Sequence, residues 1–281
     1  MISKEVLKRI QLVVFDLDGT ILDDTGNLDP DTVVLVKKLK ELGVKFSIAT
    51  GRLHSATVSY AQTLSIDEPI ISLDGTLIKN HLIDKIIYQS AIPEKIVAKA
   101  ISLADRYFLK IALCHGDAIY YTEENSLIPN LLEKFGAKYE MVNSYHGIIN
   151  NTLEIVMTSD YSNMLRQASN KLSFPFTFGV RSSFYKSQSH GGIYYLEVRK
   201  MGSNKGDALK KLCKYSHVKI KHAAVLGDWY NDKSLFETDA LKIAVANSVP
   251  EIKRLSDMIT KNTNNEGGVN EFLKLLLKSK S

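Results

Sequence analysis

Cysteine is nearly missing from this 281-residue chain. The two that occur, Cys114 and Cys213, lie far apart and without metal-ligand spacing, so neither a disulfide framework nor a zinc knuckle is available to staple the fold. Both read as small buried apolar residues. No apolar run approaches the length of a membrane span. The first fifteen residues mix Lys4, Glu5, Lys8 and Arg9 among apolar neighbours, where a secretory signal would need an uncharged stretch. A cytoplasmic protein is the expectation. Charge of one sign is lacking as well: 36 basic against 31 acidic residues give +5, too little and too dispersed for a nucleic-acid footprint. The lysine-rich stretches at 210–221 and 274–280 read as solvated faces. His81, His115, His146, His190 and His222 show no metal spacing, and neither an internal repeat nor a low-complexity linker is visible.

What is present is ordinary globular composition, 44% hydrophobic and 24% charged, in a length that predicts two domains or one domain with a large insertion. Leu12-Val13-Val14-Phe15 is a short apolar run without alternation, the pattern of a parallel strand covered on both faces. Asp29 followed by Pro30 supplies an N-cap and an N1 proline, Leu35, Leu39 and Leu42 mark one helical face, and Gly43 suits the C′ position. Residues 44–49 then read as a second buried strand, completing a parallel crossover unit. The same grammar returns near the end, with a helix at 205–215, strands at 223–226 and 243–246, and a helix at 232–238. Ser248-Val249-Pro250-Glu251 reads as a capping box. A short strand at 258–260 and a leucine-rich last helix follow.

Between these ends, residues 86–90, 110–113, 118–122, 153–157 and 194–198 read as strands and 93–106 and 161–172 as helices, an α+β pattern. The α/β grammar stops and resumes, which predicts a discontinuous, Rossmann-like parallel-sheet core from residues 1–77 and 197–281, with an α+β domain inserted at 78–196.

Chemistry-bearing residues fall at the predicted strand and helix ends. Asp16-Leu17-Asp18-Gly19-Thr20 directly follows the first strand, and Thr50-Gly51-Arg52 follows the second. Gly227-Asp228-Trp229-Tyr230-Asn231-Asp232 follows the strand at 223–226. In open α/β sheets the carboxyl edge is where ligands bind. Each segment alone has an ordinary reading as a turn or a helix cap. Lys205 is less ordinary, because a cation at a helix start opposes the macrodipole unless an anion sits beside it. Independent caps would not need carboxylates, a hydroxyl and an ammonium to converge on one edge. Clustered carboxylates need a cation, and oxygen-only donors favour a hard ion such as Mg²⁺. Together with Lys205 and backbone amides, that describes a site for a phosphate dianion. Asp16 is then the candidate nucleophile, and Asp18 the candidate acid and base.

These four segments resemble the motifs of the haloacid-dehalogenase-like superfamily, in its Cof-type branch, where a large α/β cap is inserted between the second and third motifs. The resemblance covers nearly the whole chain. It implies an Mg²⁺-dependent phosphatase acting on a small phosphorylated metabolite such as a sugar phosphate, with a sugar phosphomutase or a non-catalytic phosphometabolite-binding protein as alternatives. Asp16 matches the nucleophile and Asp18 the general acid/base, while Thr50, Gly51, Arg52, Lys205 and Asn231 match the phosphate side. Asp16, the Asp18 backbone carbonyl and Asp228 match the metal ligands, with Asn231 and Asp232 as supporting or additional ones. Asp74-Gly75 stands where this branch usually carries Asn-Gly, and Trp229 and Tyr230 are bulkier than usual. Glu266-Gly267-Gly268-Val269 reads as a turn before the last helix; Asp23, Asp24 and His54 read as solvated residues near the motifs.

Overall fold

A computed structural model describes residues 2–131, 137–186 and 192–280 of the chain. His190 lies outside the described residues. The strands, in chain order, are β1 (Leu12–Phe15), β2 (Lys45–Ile48), β3 (Ile70–Ser72), β4 (Leu77–Asn80), β5 (Lys85–Gln89), β6 (Lys110–Cys114) and β7 (Ile119–Tyr121). They continue with β8 (Tyr139–Met141), β9 (Glu154–Ser159), β10 (Val180–Lys186), β11 (Tyr194–Lys200), β12 (Ala223–Gly227), β13 (Leu241–Ala244) and β14 (Met258–Ile259). Two compact units result, one of Met1–Arg52, Thr57–Tyr88 and Asn204–Ser281, the other of Leu53–Ala56 and Gln89–Ser203.

The first unit is built on a five-stranded sheet in the order β14-β13-β12-β1-β2, parallel throughout. The unalternating run of β1 is explained by helices on both faces. Val13 and Phe15 pack into a core that includes Leu35 and Leu39 of the Pro30–Glu41 helix and Phe272 and Leu276 of the Gly268–Lys280 helix. Leu12 and Val14 point the other way, into a core with Leu209 and Leu212 of the Lys205–Tyr215 helix and Ile252 of the Pro250–Leu255 helix. Asp29 caps the first of these helices by accepting from the Asp31 N–H, with Pro30 at N1 and Gly43 beyond its end at φ +81°. A smaller sheet, β3-β4-β5, also belongs mainly to this unit.

In the second unit, six strands run in the order β10-β11-β9-β6-β7-β8, antiparallel except for β7 beside β8. The helices Glu94–Tyr107 and Ser162–Lys171 share one apolar core with the sheet, so this half is α+β. Cys114 and Cys213 are buried free thiols, and among the described residues no helix is long and apolar enough to cross a membrane.

Three local expectations are corrected. Ser248 does not cap the next helix: its hydroxyl donates to the Gly227 carbonyl at 3.2 Å, and Val249 takes the N-cap position while its N–H donates to the Asp228 carbonyl. The strand-end carbonyls claim both groups before the helix can. His54 is not solvated but 4% exposed. The ordinary reading of Thr50-Gly51-Arg52 as a helix cap fails, since the next helix begins only at Val58, with Thr57 in the N-cap position. Gly267, at φ +72°, does close the turn before the last helix.

Candidate active site

β1 lies between β2 and β12, and the chain leaves β1 and β12 toward opposite edges of the sheet, which opens a crevice at their carboxyl ends. Register fixes what lines it. Phe15 pairs with Ile48 on one side and Leu226 on the other, so Asp16, Thr50 and Asp228 emerge from neighbouring strands at the same edge. The Asp16 N–H donates to the Leu226 carbonyl at 2.9 Å, tying the first acidic residue to the strand that leads into Asp228.

Beyond Asp16 the chain closes one tight turn over Leu17–Ile21, with the Leu22 N–H on the Leu17 carbonyl at 3.0 Å. Gly19 makes this turn possible. Its φ is +73°, and a Cβ there would stand 2.5 Å from Asp228 Oδ2. The close approach lets Thr20 Oγ1 donate to Asp228 Oδ1 at 2.8 Å and Asn247 Nδ2 donate to the Gly19 carbonyl at 2.7 Å.

Lys205 begins the Lys205–Tyr215 helix behind the N-cap Asn204, whose side chain accepts from the Asp207 N–H. Its ammonium is completely buried and donates at 2.6 Å to Asp16 Oδ1 and at 2.6 Å to Asp232 Oδ1. Those carboxylates offset both the macrodipole and the loss of water. Burial alone would lower the Lys205 pKa, but Asp16 and Asp232 outweigh it and hold the ammonium charged well above the usual lysine range. Asp232 also accepts from the N–H groups of Asp228 and Trp229 through Oδ2, at 3.0 and 3.2 Å. It thereby fixes the turn that presents Asp228.

Asp16, Asp228 and Asp232 are all buried, and one ligand oxygen from each lies within 4.8 Å of the others. Among the described residues, three carboxylates cluster at one ammonium. Desolvation, with Asp232 and Asp228 as like charges, drives the Asp16 carboxyl well above its ordinary range; desolvation, then Asp232, pushes Asp228 up to about 6. A cluster of hard oxygen donors short of positive charge could hold a metal ion.

The remaining predicted residues line the rim. Thr50 is buried, and its hydroxyl accepts from the Arg52 N–H at 3.1 Å. Arg52 directs Nε to Asp18 Oδ2 at 2.9 Å and Nη2 to Asp18 Oδ1, and the Asp18 side chain, 60% exposed, is not one of the three carboxylates of the acid cluster. Asn231 donates to Asp74 Oδ1 at 3.1 Å, and that oxygen lies 4.0 Å from the Lys205 ammonium.

A family model described as haloacid dehalogenase-like hydrolase matches residues 13–273. The chain belongs to the haloacid dehalogenase-like hydrolases. Two full-length relatives come from Bacillus subtilis: the 5-amino-6-(5-phospho-D-ribitylamino)uracil phosphatase YitU and the phosphatase YwpJ, each 25% identical. Those alignments cover 94% of this chain and 96% of YitU, and 95% of this chain and 100% of YwpJ. The fold is shared with a haloacid dehalogenase-like hydrolase from Bacteroides thetaiotaomicron, at a TM-score of 0.81 and 23% identity, covering 94% of this chain and 98% of that one. A Thermotoga maritima protein gives 0.82 at 24% identity, covering 94% and 97%. With phosphatases as its full-length relatives, the chain is a phosphoric monoester hydrolase of this family.

In this haloacid dehalogenase-like hydrolase the fold brings Asp16, Lys205, Asp228 and Asp232 into one cluster, with Thr50, Gly51, Asp74 and Asn231 beside it. Asp18 and Arg52 form a separate pair at its margin. Sequence reasoning passed over Thr20 and Asn247, which position Asp228 and the Gly19 turn. Thr20 carried a signal, since it stands in the Asp16 segment; Asn247 carried none. Asp74 sits in the left-handed region at φ +51°, held there because its N–H donates to the Thr50 carbonyl and its neighbour Leu73 donates to the Arg52 carbonyl, each at 3.0 Å. Trp229 and Tyr230 are each 55% exposed and contact one another edge to face, so their bulk lies outside the acid cluster.

Proposed function

We propose that this chain is an Mg²⁺-dependent phosphatase that hydrolyses a small phosphorylated metabolite, a sugar or polyol phosphate, by way of a phosphorylated Asp16. The observation that carries the proposal is the buried triad of Asp16, Asp228 and Asp232 around Lys205 at the carboxyl edge of a parallel sheet. Asp16 Oδ1 is held by Lys205, which leaves Oδ2 to attack phosphorus while the ester P–O bond breaks. Asp18 gives a proton to the departing alkoxide. It then takes one from the water that attacks the aspartyl-phosphate, breaking the bond to Asp16 and releasing phosphate. Lys205, the Thr50 hydroxyl, the Gly51 amide and Asn231 are assigned to the peripheral phosphoryl oxygens, with Arg52 at the same edge.

Asp16, the Asp18 backbone carbonyl and Asp228 would hold Mg²⁺, with Asp232 beside them as a supporting ligand. When bound, such an ion would supply charge neutralisation for the nucleophile and the phosphoryl group. The Leu53–Ala56 and Gln89–Ser203 unit is assigned as the cap that selects the leaving group, and the setting is cytoplasmic. A panel of phosphorylated sugars, nucleotides and vitamin precursors, including a phosphoribityl ester, tests the reading. Phosphate release that needs Mg²⁺ and vanishes in Asp16→Asn is expected. Release that survives Asp16→Asn, or absence of turnover across the panel, refutes it.

A further inference from the structure

The Asp18 side chain has an unusual neighbourhood for an acid two residues from a proposed metal ligand. Both of its oxygens are taken by one guanidinium, Nε at 2.9 Å and Nη2 alongside, and its carboxylate is not among the oxygens that cluster around Lys205. Asp18 is 60% exposed while Arg52 is 16% exposed. An acid so exposed is already solvated, and exposed ion pairs add about 0–1 kcal/mol to stability, so the effect of a two-point pair here is geometric.

The guanidinium is itself immobilised. Its third nitrogen donates to the Tyr60 hydroxyl at 3.2 Å, and its plane lies over the Tyr60 ring at 5.3 Å. Tyr60 is held in turn by the Gly26 carbonyl. At the backbone, Arg52 is tied to the Thr50 hydroxyl and to the Leu73 N–H. Nε, Nη1 and Nη2 each make one of these bonds, which fixes the plane of the guanidinium.

We infer that Arg52 is a positioning residue for Asp18, keeping that carboxylate from collapsing onto the ion site beside Asp16 and Asp228 and so reserving it for the ester oxygen. The inference rests on the proposed function, because it requires an ion at the acid cluster. Without the guanidinium, the turn over Leu17–Ile21 places a fourth carboxylate, that of Asp18, close to three that already attract a cation. An Asp18 side chain bound to the ion is lost to proton transfer, so a tighter metal site accompanies a slower enzyme.

Titration with Mn²⁺ as the metal alone, followed by calorimetry or electron paramagnetic resonance, reads this directly. Arg52→Gln is expected to bind Mn²⁺ about tenfold more tightly than the unaltered protein, and to turn over alkyl phosphates more slowly. Arg52→Lys, which keeps the charge without the fork, is expected to fall between. Adding Asp18→Asn to Arg52→Gln should return Mn²⁺ affinity to the starting value. Unchanged or weaker Mn²⁺ binding in a folded Arg52→Gln overturns the inference, and if that variant does not fold, unchanged binding in Arg52→Lys does so. Asp16→Asn separates the two readings. Should it leave Mn²⁺ affinity untouched, the proposed function fails; should it weaken binding while the Arg52 variants stay at the starting affinity, only the role of Arg52 fails.

Discussion

Replacing Lys205 by methionine preserves most of the side-chain volume and removes the ammonium that touches both Asp16 and Asp232. Lys205 and Asp232 are completely buried and Asp16 nearly so. Water therefore does not take over the solvation of the carboxylates left behind, and removing one partner of a buried pair costs about 3–5 kcal/mol. For a chain of this size each kcal/mol lowers the melting temperature by about 2–4 °C. Lys205→Met is thus expected to melt roughly 6–20 °C below the unaltered protein in EDTA at pH 7.5. Two conditions should shrink the deficit. A divalent ion replaces part of the missing positive charge, and acid neutralises Asp16, whose carboxyl is already held well above its ordinary range by burial and then by Asp232. Thermal unfolding in EDTA and in Mg²⁺, at pH 5.5 and 7.5, measures all three effects. A Lys205→Met protein that melts within about 2 °C of its parent in EDTA at pH 7.5 would show that the acid cluster does not depend on this ammonium.

The pH dependence of the metal-free protein has a definite sign. Asp228 stands near 6 in the folded state against an ordinary 3.8, so the folded chain binds more protons over that interval and its stability falls as pH rises from about 4 to about 6. The contribution is at most about 3 kcal/mol, and saturating Mg²⁺ should flatten the decline in melting temperature. Thr20→Val removes the 2.8 Å bond to Asp228 without altering shape, and Mn²⁺ affinity measured by calorimetry should drop about tenfold. Gly19→Ala meets both the positive φ and the 2.5 Å approach to Asp228, and steady-state kinetics should show kcat reduced about 100-fold.

Much of the site could be read from the sequence because its residues follow buried strands directly. Leu12–Phe15 lacks alternation since helices cover both faces, and once β1, β2 and β12 are parallel neighbours, Asp16, Thr50 and Asp228 have no choice but a common edge. Lys205 was legible as a charge in the wrong place for its helix, a conflict the fold resolves with two carboxylates. Features set by long-range contact were not legible. The Arg52 fork is aimed by Tyr60, and the left-handed turn at Leu73 and Asp74 is imposed by carbonyls of the Thr50–Arg52 segment. Ser248 was misread for the same reason: capping signals describe a helix in isolation, and the end of β12 offered its hydroxyl a nearer acceptor. His54 looked solvated because polarity was the only guide, and burial is decided by neighbours that sequence spacing does not identify.

Insertion of β1 between β2 and β12 has a further consequence for biosynthesis. Thr20 and its partner Asp228 are 208 positions apart in the chain. At translation speeds of about 5–20 residues per second, roughly 10 to 40 s separate their emergence from the ribosome. During that interval the nascent polypeptide carries Asp16 at the end of a strand with one edge unsatisfied. An incomplete product, whether from a stalled ribosome or from proteolysis ahead of residue 223, would be silent toward phosphate esters and exposed to quality control.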